Sequence, residues 1–196
     1  MRREVLLDAA AASLRERGLK RFSVDELSRT LHISKRTIYD FFENKRSLVE
    51  SAVDYMLCRL VSEVEYVGRT EPNSLRGLLY SVMAGVRFFC SMPMRIYSEI
   101  KECGGCNEIM DRMTGRVNEL YSRNMERAAD DGYIERGLKF ETVGDVIRAQ
   151  FIAQYADDYD TNAVMKRSFN ILVTILYGIA TGKGKAEMEN IIIRGL

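Results

Sequence analysis

Residues 22–48 read FSVDELSRTLHISKRTIYDFFENKRSL, and their pattern sets out a helix, a tight turn and a second short helix. Ser23 followed at i+3 by Glu26 is a capping box, in which each side chain satisfies a backbone N–H left without a partner at a helix start. The helix it opens ends near Leu31. His32-Ile33 makes the turn, and Ser34 opens the next helix in the same way. His32, the chain's single histidine, fits a left-handed turn position, and nothing near it in sequence offers a catalytic or metal partner.

The second helix can be oriented from its residue step. If Ile38 faces the core, Phe42 lies about 40° away and Arg36 and Asp40 lie about 160° away, pointing outwards. Tyr39 and Thr37 flank that outward face. Ile38, Phe41 and Phe42 are expected in the core, with Leu27, Leu31 and Ile33 completing the apolar contact between the helices. An exposed short helix with a basic and aromatic face is the element that enters the DNA major groove. Arg36 is the candidate for base edges, its donor fork favouring guanine. Ser34, Lys35, Thr37, Tyr39 and Lys45 are candidates for phosphate contact or positioning, Lys45 lying near the start of the following helix. Asp40, four residues after Arg36, either pairs with it and orients the guanidinium, accepts a bond from cytosine, or is a charge tolerated at the groove edge.

A chain of 196 residues with 46% apolar side chains suffices for a real core and is neither disordered nor fibrous. The net charge is only +1, but it is unevenly spread. Through residue 50 eleven basic side chains face eight acidic ones, and the remainder is slightly acidic. That suits a basic reading head on a separate body. The longest uncharged run, Ser168 to Gly182, has 15 residues, short of the roughly 20 that span a bilayer, and no signal peptide is visible. A cytoplasmic protein without a membrane partner is expected. Four cysteines do not form a secreted disulfide framework, so thiols are the default.

Helical periodicity runs through the whole chain, and the fold expected is all-α with about nine or ten helices. Leu75, Leu78, Leu79, Val82, Met83, Val86 and Cys90 mark one buried stripe. Ile109, Met113, Val117, Leu120 and Ala128 mark another, interrupted by the polar Asn124. The spacing predicts helices at about 2–17, closed by Gly18, then the two of the motif, then 45–67, 74–90, 93–102, 106–131, 141–158 and 161–181, with a short tail from 184. This divides the chain into a three-helix head over 1–48 with the helix-turn-helix and a larger helical body over 49–196.

The residues Phe22 to Leu27, Ile33 to Phe42 and Asn44 to Leu48 together resemble the DNA-binding head of the tetracycline-repressor (TetR) family, closely over about residues 3–53. The resemblance implies a homodimeric transcription regulator, usually a repressor, whose body binds a small-molecule effector and shifts the heads. It maps Arg36, Thr37, Tyr39 and Lys45 onto DNA-contacting positions, and the helices at 141–158 and 161–181 onto the dimer interface. The sequence departs from the family at His32, where Gly is common, and at Asp40, where a neutral or basic residue is usual. A palindromic double-stranded operator is the partner that a two-headed reader fits, its half-sites about 34–36 Å apart.

The body is less explicit. Val143, Val146, Ile147, Gln150, Phe151, Gln154 and Tyr155 form one stripe, and Phe169, Leu172, Val173, Leu176 and Ile179 or Ala180 another, so that two helices per chain can build a four-helix interface. Met83, Phe89, Tyr97, Met110, Met113, Tyr121, Phe151 and Tyr155 are candidates to line an apolar effector pocket, although a helical core uses the same residue types. Cys103-Gly-Gly-Cys106 can close a reversible disulfide or hold a soft metal, or be an ordinary Gly-Gly loop between helices. No phosphate loop, HExxH or GxSxG is present, so neither a cofactor nor an enzyme is expected. Asp157, Asp158 and Asp160 read as solvated caps at a helix junction.

Overall fold

The computed structural model describes residues 2–138, 141–143, 146 and 160–194. Among the described residues there are nine helices: α1 (Arg3–Arg17), α2 (Val24–Thr30), α3 (Lys35–Tyr39), α4 (Lys45–Thr70), α5 (Ser74–Cys90), α6 (Met94–Glu102), α7 (Gly104–Asp130), α8 (Thr161–Ile179) and α9 (Gly182–Arg194). The all-α expectation holds, the described β structure being one isolated bridge between Ile134 and Ala180. The helix expected at 141–158 falls almost entirely outside the described residues, as do Asp157 and Asp158. No single described helix is long and apolar enough to cross a membrane.

The chain forms two compact units. One comprises Met1–Arg59 with Ser91–Thr114, the other Leu60–Cys90 with Gly115–Leu196. In the first, Leu6, Leu7, Ala10 and Leu14 of α1, Leu27 of α2, Ile38 of α3, Leu48, Ala52 and Val53 of α4 and Ile96 and Ile100 of α6 are buried. In α1, α4 and α6 those positions recur at i+3 or i+4 and give each helix an apolar stripe.

In the second unit α8 packs on α5 and α9 packs on α8. Asn124, the polar break in its apolar stripe, donates from Nδ2 to Ser81 Oγ (3.0 Å), which in turn donates to the Gly77 carbonyl (2.6 Å). A polar side chain is stable there because its hydrogen bonding is met inside. Arg127 closes the end of α4, donating to the carbonyls of Gly68 (2.7 Å), Glu71 (3.0 Å) and Pro72 (3.2 Å). The Gly68 carbonyl is one that a helix end leaves without an intrahelical partner, and those of Glu71 and Pro72 belong to the loop that follows. Tyr121 is buried, and its hydroxyl lies where only Gly85 leaves room: a Cβ at that glycine would meet it at 2.3 Å. Burial, with Glu63 adding to it, pushes the Tyr121 phenol well above its ordinary range.

Along α8, Val164, Ser168, Leu172 and Leu176 are buried, whereas Met165, Phe169 and Val173 are half-buried and Tyr177 is 38% exposed. The single stripe expected from Phe169 to Leu176 is thus two adjacent rows, and Leu172 and Leu176 belong to this chain's own core. Helix α7 also differs from its expected start near residue 106. Gly104 and Gly105 are its first residues, so the Gly-Gly pair is helical and not a loop. The carbonyl of Cys103 accepts from Asn107 N–H (2.8 Å), which sets Cys103 at the helix cap.

Candidate nucleic-acid interface

Helix α2 is started by Ser23, whose Oγ accepts the Glu26 N–H (3.4 Å). The reciprocal half of the capping box is replaced, because the Glu26 carboxylate pairs with the Arg17 guanidinium of α1. A charge-assisted bond to guanidinium outcompetes a neutral backbone donor. The turn is held by Ser28, whose Oγ donates to the Ile33 carbonyl (2.6 Å) while its carbonyl accepts the Ile33 N–H (3.0 Å). His32 between them has φ 52°, the left-handed conformation that reverses the chain.

Helix α3 is capped by Ser34, whose Oγ accepts the Thr37 N–H (3.1 Å) and lies 2.9 Å from Thr37 Oγ1. Ile38 and Phe42 are buried, and Arg3 sits over the Phe42 ring, 5.2 Å from its centre. The orientation set by Ile38 places Ser34, Lys35, Arg36, Tyr39 and Asp40 on the exposed side, with Thr37 half-buried beside them. Tyr39 is 43% exposed. Phe41, expected in the core with its neighbour, is 39% exposed: α3 ends at Tyr39, and the turn after it carries Phe41 off the buried side.

Among the described residues no ion pair joins Arg36 to Asp40, and Arg36 is left with an exposed guanidinium. Lys35 differs, since its ammonium pairs with Asp25 of α2 and braces the two helices. Lys45 is the first residue of α4, whose start is capped by Asn44. The Ser47 N–H donates to Asn44 Oδ1 (2.9 Å) and the Asn44 N–H to Ser47 Oγ (3.4 Å). That reciprocal pair fixes the helix end beside which Lys45 projects, and the N-x-x-S spacing is its signal in the sequence.

The loop between α1 and α2 is fixed from α6. Glu99 Oε2 accepts the backbone N–H groups of Leu19 and, at 3.2 Å, Lys20. Lys20 Nζ pairs with Glu102 (2.7 Å), and Arg95 Nη2 donates to the Glu16 carbonyl (2.8 Å). An open cleft of about 470 Å³ lies here, lined among others by Lys20, Lys45, Arg46, Glu99, Glu102 and Cys103. A second, of about 330 Å³, lies in the other unit against Met125, Ile134 and Leu138.

The model of the bacterial regulatory proteins of the tetR family matches residues 6–52, which span α1 through the first turns of α4. The head, residues 6–52, is a TetR-family DNA-binding segment. The chain is 23% identical over 165 residues to the nucleoid occlusion factor SlmA of Sodalis glossinidius (strain morsitans), covering 78% of each protein. The TetR transcriptional regulator SCO0520 of Streptomyces coelicolor shares the fold with a TM-score of 0.71 at 18% identity, over 92% of this chain and 99% of that one. Reduced NemR of E. coli does so with a TM-score of 0.70 at 17% identity, over 91% and 97%.

Helix α3 lies inside the matched segment, where the sequence placed it. The effector-pocket candidates are distributed differently. Met83 and Tyr121 are buried and Phe89 half-buried in one unit; Met113 is buried and Tyr97 and Met110 half-buried in the other. Phe151 and Tyr155 lie outside the described residues. None of the six described candidates lines either cleft. No group of three or more metal-ligating side chains occurs among the described residues, so Cys103 and Cys106 stand there as two thiols without a third ligand.

Proposed function

We propose that this chain is a TetR-family regulator, a cytoplasmic, non-enzymatic homodimeric repressor that occupies a palindromic operator and leaves it when a small-molecule effector binds the body. In this reading residues 1–48 form the head and 49–196 the effector-binding and dimerisation body. The observation that carries it is the exposed, unpaired Arg36 guanidinium on a helix whose opposite side is anchored by the buried Ile38. A rigid helix with a free donor fork reads guanine in the major groove. Ser34, Thr37 and Tyr39 supply hydroxyls beside it for phosphates, and Lys45 adds a cation at the start of α4. Lys35 contributes by bracing α3 on α2 and by its charge, and Asp40 shapes the edge of the contacted sequence.

Dimerisation is supported by the half-open row Met165, Phe169, Val173 and Tyr177 on α8, an apolar face that a second copy would cover. The effector reading draws on the family, with Met83, Phe89, Tyr97, Met110, Met113, Tyr121, Phe151 and Tyr155 as its candidate contacts.

Binding-site selection followed by salt titration tests the reading. Arg36→Ala should relax the preference at one base pair per half-site, each lost bidentate contact being worth about 1–3 kcal/mol of discrimination. Lys45→Ala should weaken all sequences alike and reduce the salt slope by about one per half-site. Unchanged base preference in Arg36→Ala would remove Arg36 from the readout.

A further inference from the structure

The Cys103-Gly-Gly-Cys106 segment is the one motif that the DNA-reading function leaves unused. Its two sulfurs lie 2.8 Å apart, the Cys103 thiol donating towards Cys106. Cys106 is fully buried and Cys103 is half-buried at the wall of the cleft that also holds Lys20, Lys45 and Arg46. One thiol therefore meets solutes and the other waits behind it. That is the arrangement in which an attacked cysteine is paired with a resolving one. Burial, reinforced by the neighbouring Cys103, pushes the Cys106 thiol well above its ordinary range, which leaves Cys103 as the point of first attack.

We infer that Cys103 and Cys106 are an oxidation site for hydroperoxides, closing a reversible disulfide within one chain that loosens the reading head's hold on DNA. The regulatory half rests on the DNA-binding reading above. In the first step the Cys103 sulfur attacks the peroxide, the O–O bond breaks, water leaves and Cys103 becomes a sulfenic acid. The Cys106 sulfur then attacks Cys103 Sγ and expels a second water. Two thiols and one hydrogen peroxide thus give one disulfide and two waters. A dithiol reductant reverses the step by exchange, itself becoming a disulfide.

The coupling is local, and all of it lies within the first unit. Cys103 ends α6 and begins α7 at once: its N–H donates to the carbonyls of Glu99 (3.2 Å) and Ile100 (3.1 Å), and its own carbonyl accepts from Asn107. Closing a disulfide requires a fixed torsion about the sulfurs, and Cys103 is the residue whose backbone must absorb it. The last turn of α6 carries Glu99 and Glu102, the two carboxylates that hold Leu19 and Lys20 of the head. On the other side, the first turn of α7 presses on α4. Glu50 lies so close to Gly105 that a Cβ there would meet its carboxylate at 2.1 Å, and Glu50 in turn holds Arg46 at 2.8 Å. Arg46 is adjacent to Lys45. A changed α6–α7 corner is thereby felt both at the loop before α2 and at the start of α4.

The test uses the full-length protein, hydrogen peroxide and a dithiol, with an operator taken from binding-site selection. Trypsin releases Glu102–Arg112 as one peptide containing both cysteines, so its mass reports closure independently of DNA. Peroxide should make that peptide two hydrogens lighter and resistant to alkylation, and should lower operator affinity about tenfold, within the range of coupled sites. The dithiol should restore both. Cys103→Ser should bind the operator as the reduced parent does and ignore peroxide; Cys106→Ala, should the buried site tolerate it, should stop at a sulfenic acid on Cys103. Two thiols still alkylated after peroxide, a disulfide between chains, or closure with operator affinity unchanged would each overturn the inference. A reduced parent that retains no operator would instead overturn the DNA-binding reading on which the regulatory half depends, and the peptide mass would still decide the chemistry.

Discussion

Glu99 on α6 holds the backbone of Leu19 and Lys20 directly after the turn at Gly18, and Gly18 is a glycine because of it. Gly18 has φ 82°, and a Cβ there would meet Glu99 Oε2 at 2.5 Å. Gly18→Ala therefore combines a left-handed strain with a displaced carboxylate. Its expected cost is about 2 kcal/mol. Glu99→Gln keeps an acceptor but loses its charge, and should cost about 1 kcal/mol; Glu99→Ala, which leaves the part-buried Leu19 N–H unmet, should cost about 2 kcal/mol. Urea denaturation of the three variants checks the order. A Glu99→Ala protein as stable as the parent would show that the carboxylate does not fasten the loop.

His32 carries the turn at φ 52°, a conformation with a penalty for side chains and none for glycine. His32→Gly should therefore retain the fold and operator binding, whereas His32→Val should destabilise the head by about 1–2 kcal/mol. Thermal melting distinguishes the two. Equal melting temperatures for Gly and Val would mean that the turn relaxes out of the left-handed region.

Cys90 is buried, and that burial pushes its thiol from 9.0 to about 11. The folded state thus keeps this proton at pH values where the unfolded chain has lost it. Stability from this group is fully present below pH 9 and is lost as pH rises towards 11, by about 2 kcal/mol at the top of that window. Cys106 and Tyr121 are shifted in the same direction, so the group is isolated by difference. Unfolding free energies from pH 8 to 11 should fall less steeply in Cys90→Ala than in the parent, and parallel curves would sink the assignment.

The head was legible because its signals are local. A cap, a turn residue and a buried aromatic within a few positions determine the outward face of α3, and Arg36 follows from Ile38 by rotation alone. Most of what the sequence hid depends on a partner elsewhere in the chain, with the local exception of Phe41. Glu26 was expected on its own backbone and is taken by Arg17; Asn124 breaks an apolar stripe because Ser81 lies 43 residues away in the chain. Phe41 and Phe42 look alike in sequence, but the early end of α3 separates them. The hold of Glu99 on Leu19 spans 80 residues, and no periodicity reports it. The effector site was least legible because apolar helices use the same Met and aromatic residues for cores and for pockets.

Leu172 and Val173 are adjacent on α8, and the rows they belong to predict opposite phenotypes. Leu172 is buried within its own chain, on the helix that packs on α5. Truncating it to Ala should create a cavity and cost about 2–4 kcal/mol of stability whatever the oligomeric state. Val173 is half-buried in line with Phe169 and Tyr177, the row assigned to the second copy. Val173→Glu should leave the single chain folded, because its side chain can point to solvent, but it should place a charge in the dimer seam and its symmetry mate. Sedimentation equilibrium should then show the mass falling from dimer to monomer with helical content retained, and operator affinity should fall with it, since one head alone contacts one half-site. If Val173→Glu remains dimeric while Leu172→Ala dissociates, the two rows are reversed, and the face of α8 that meets the partner is the one assigned here to the core.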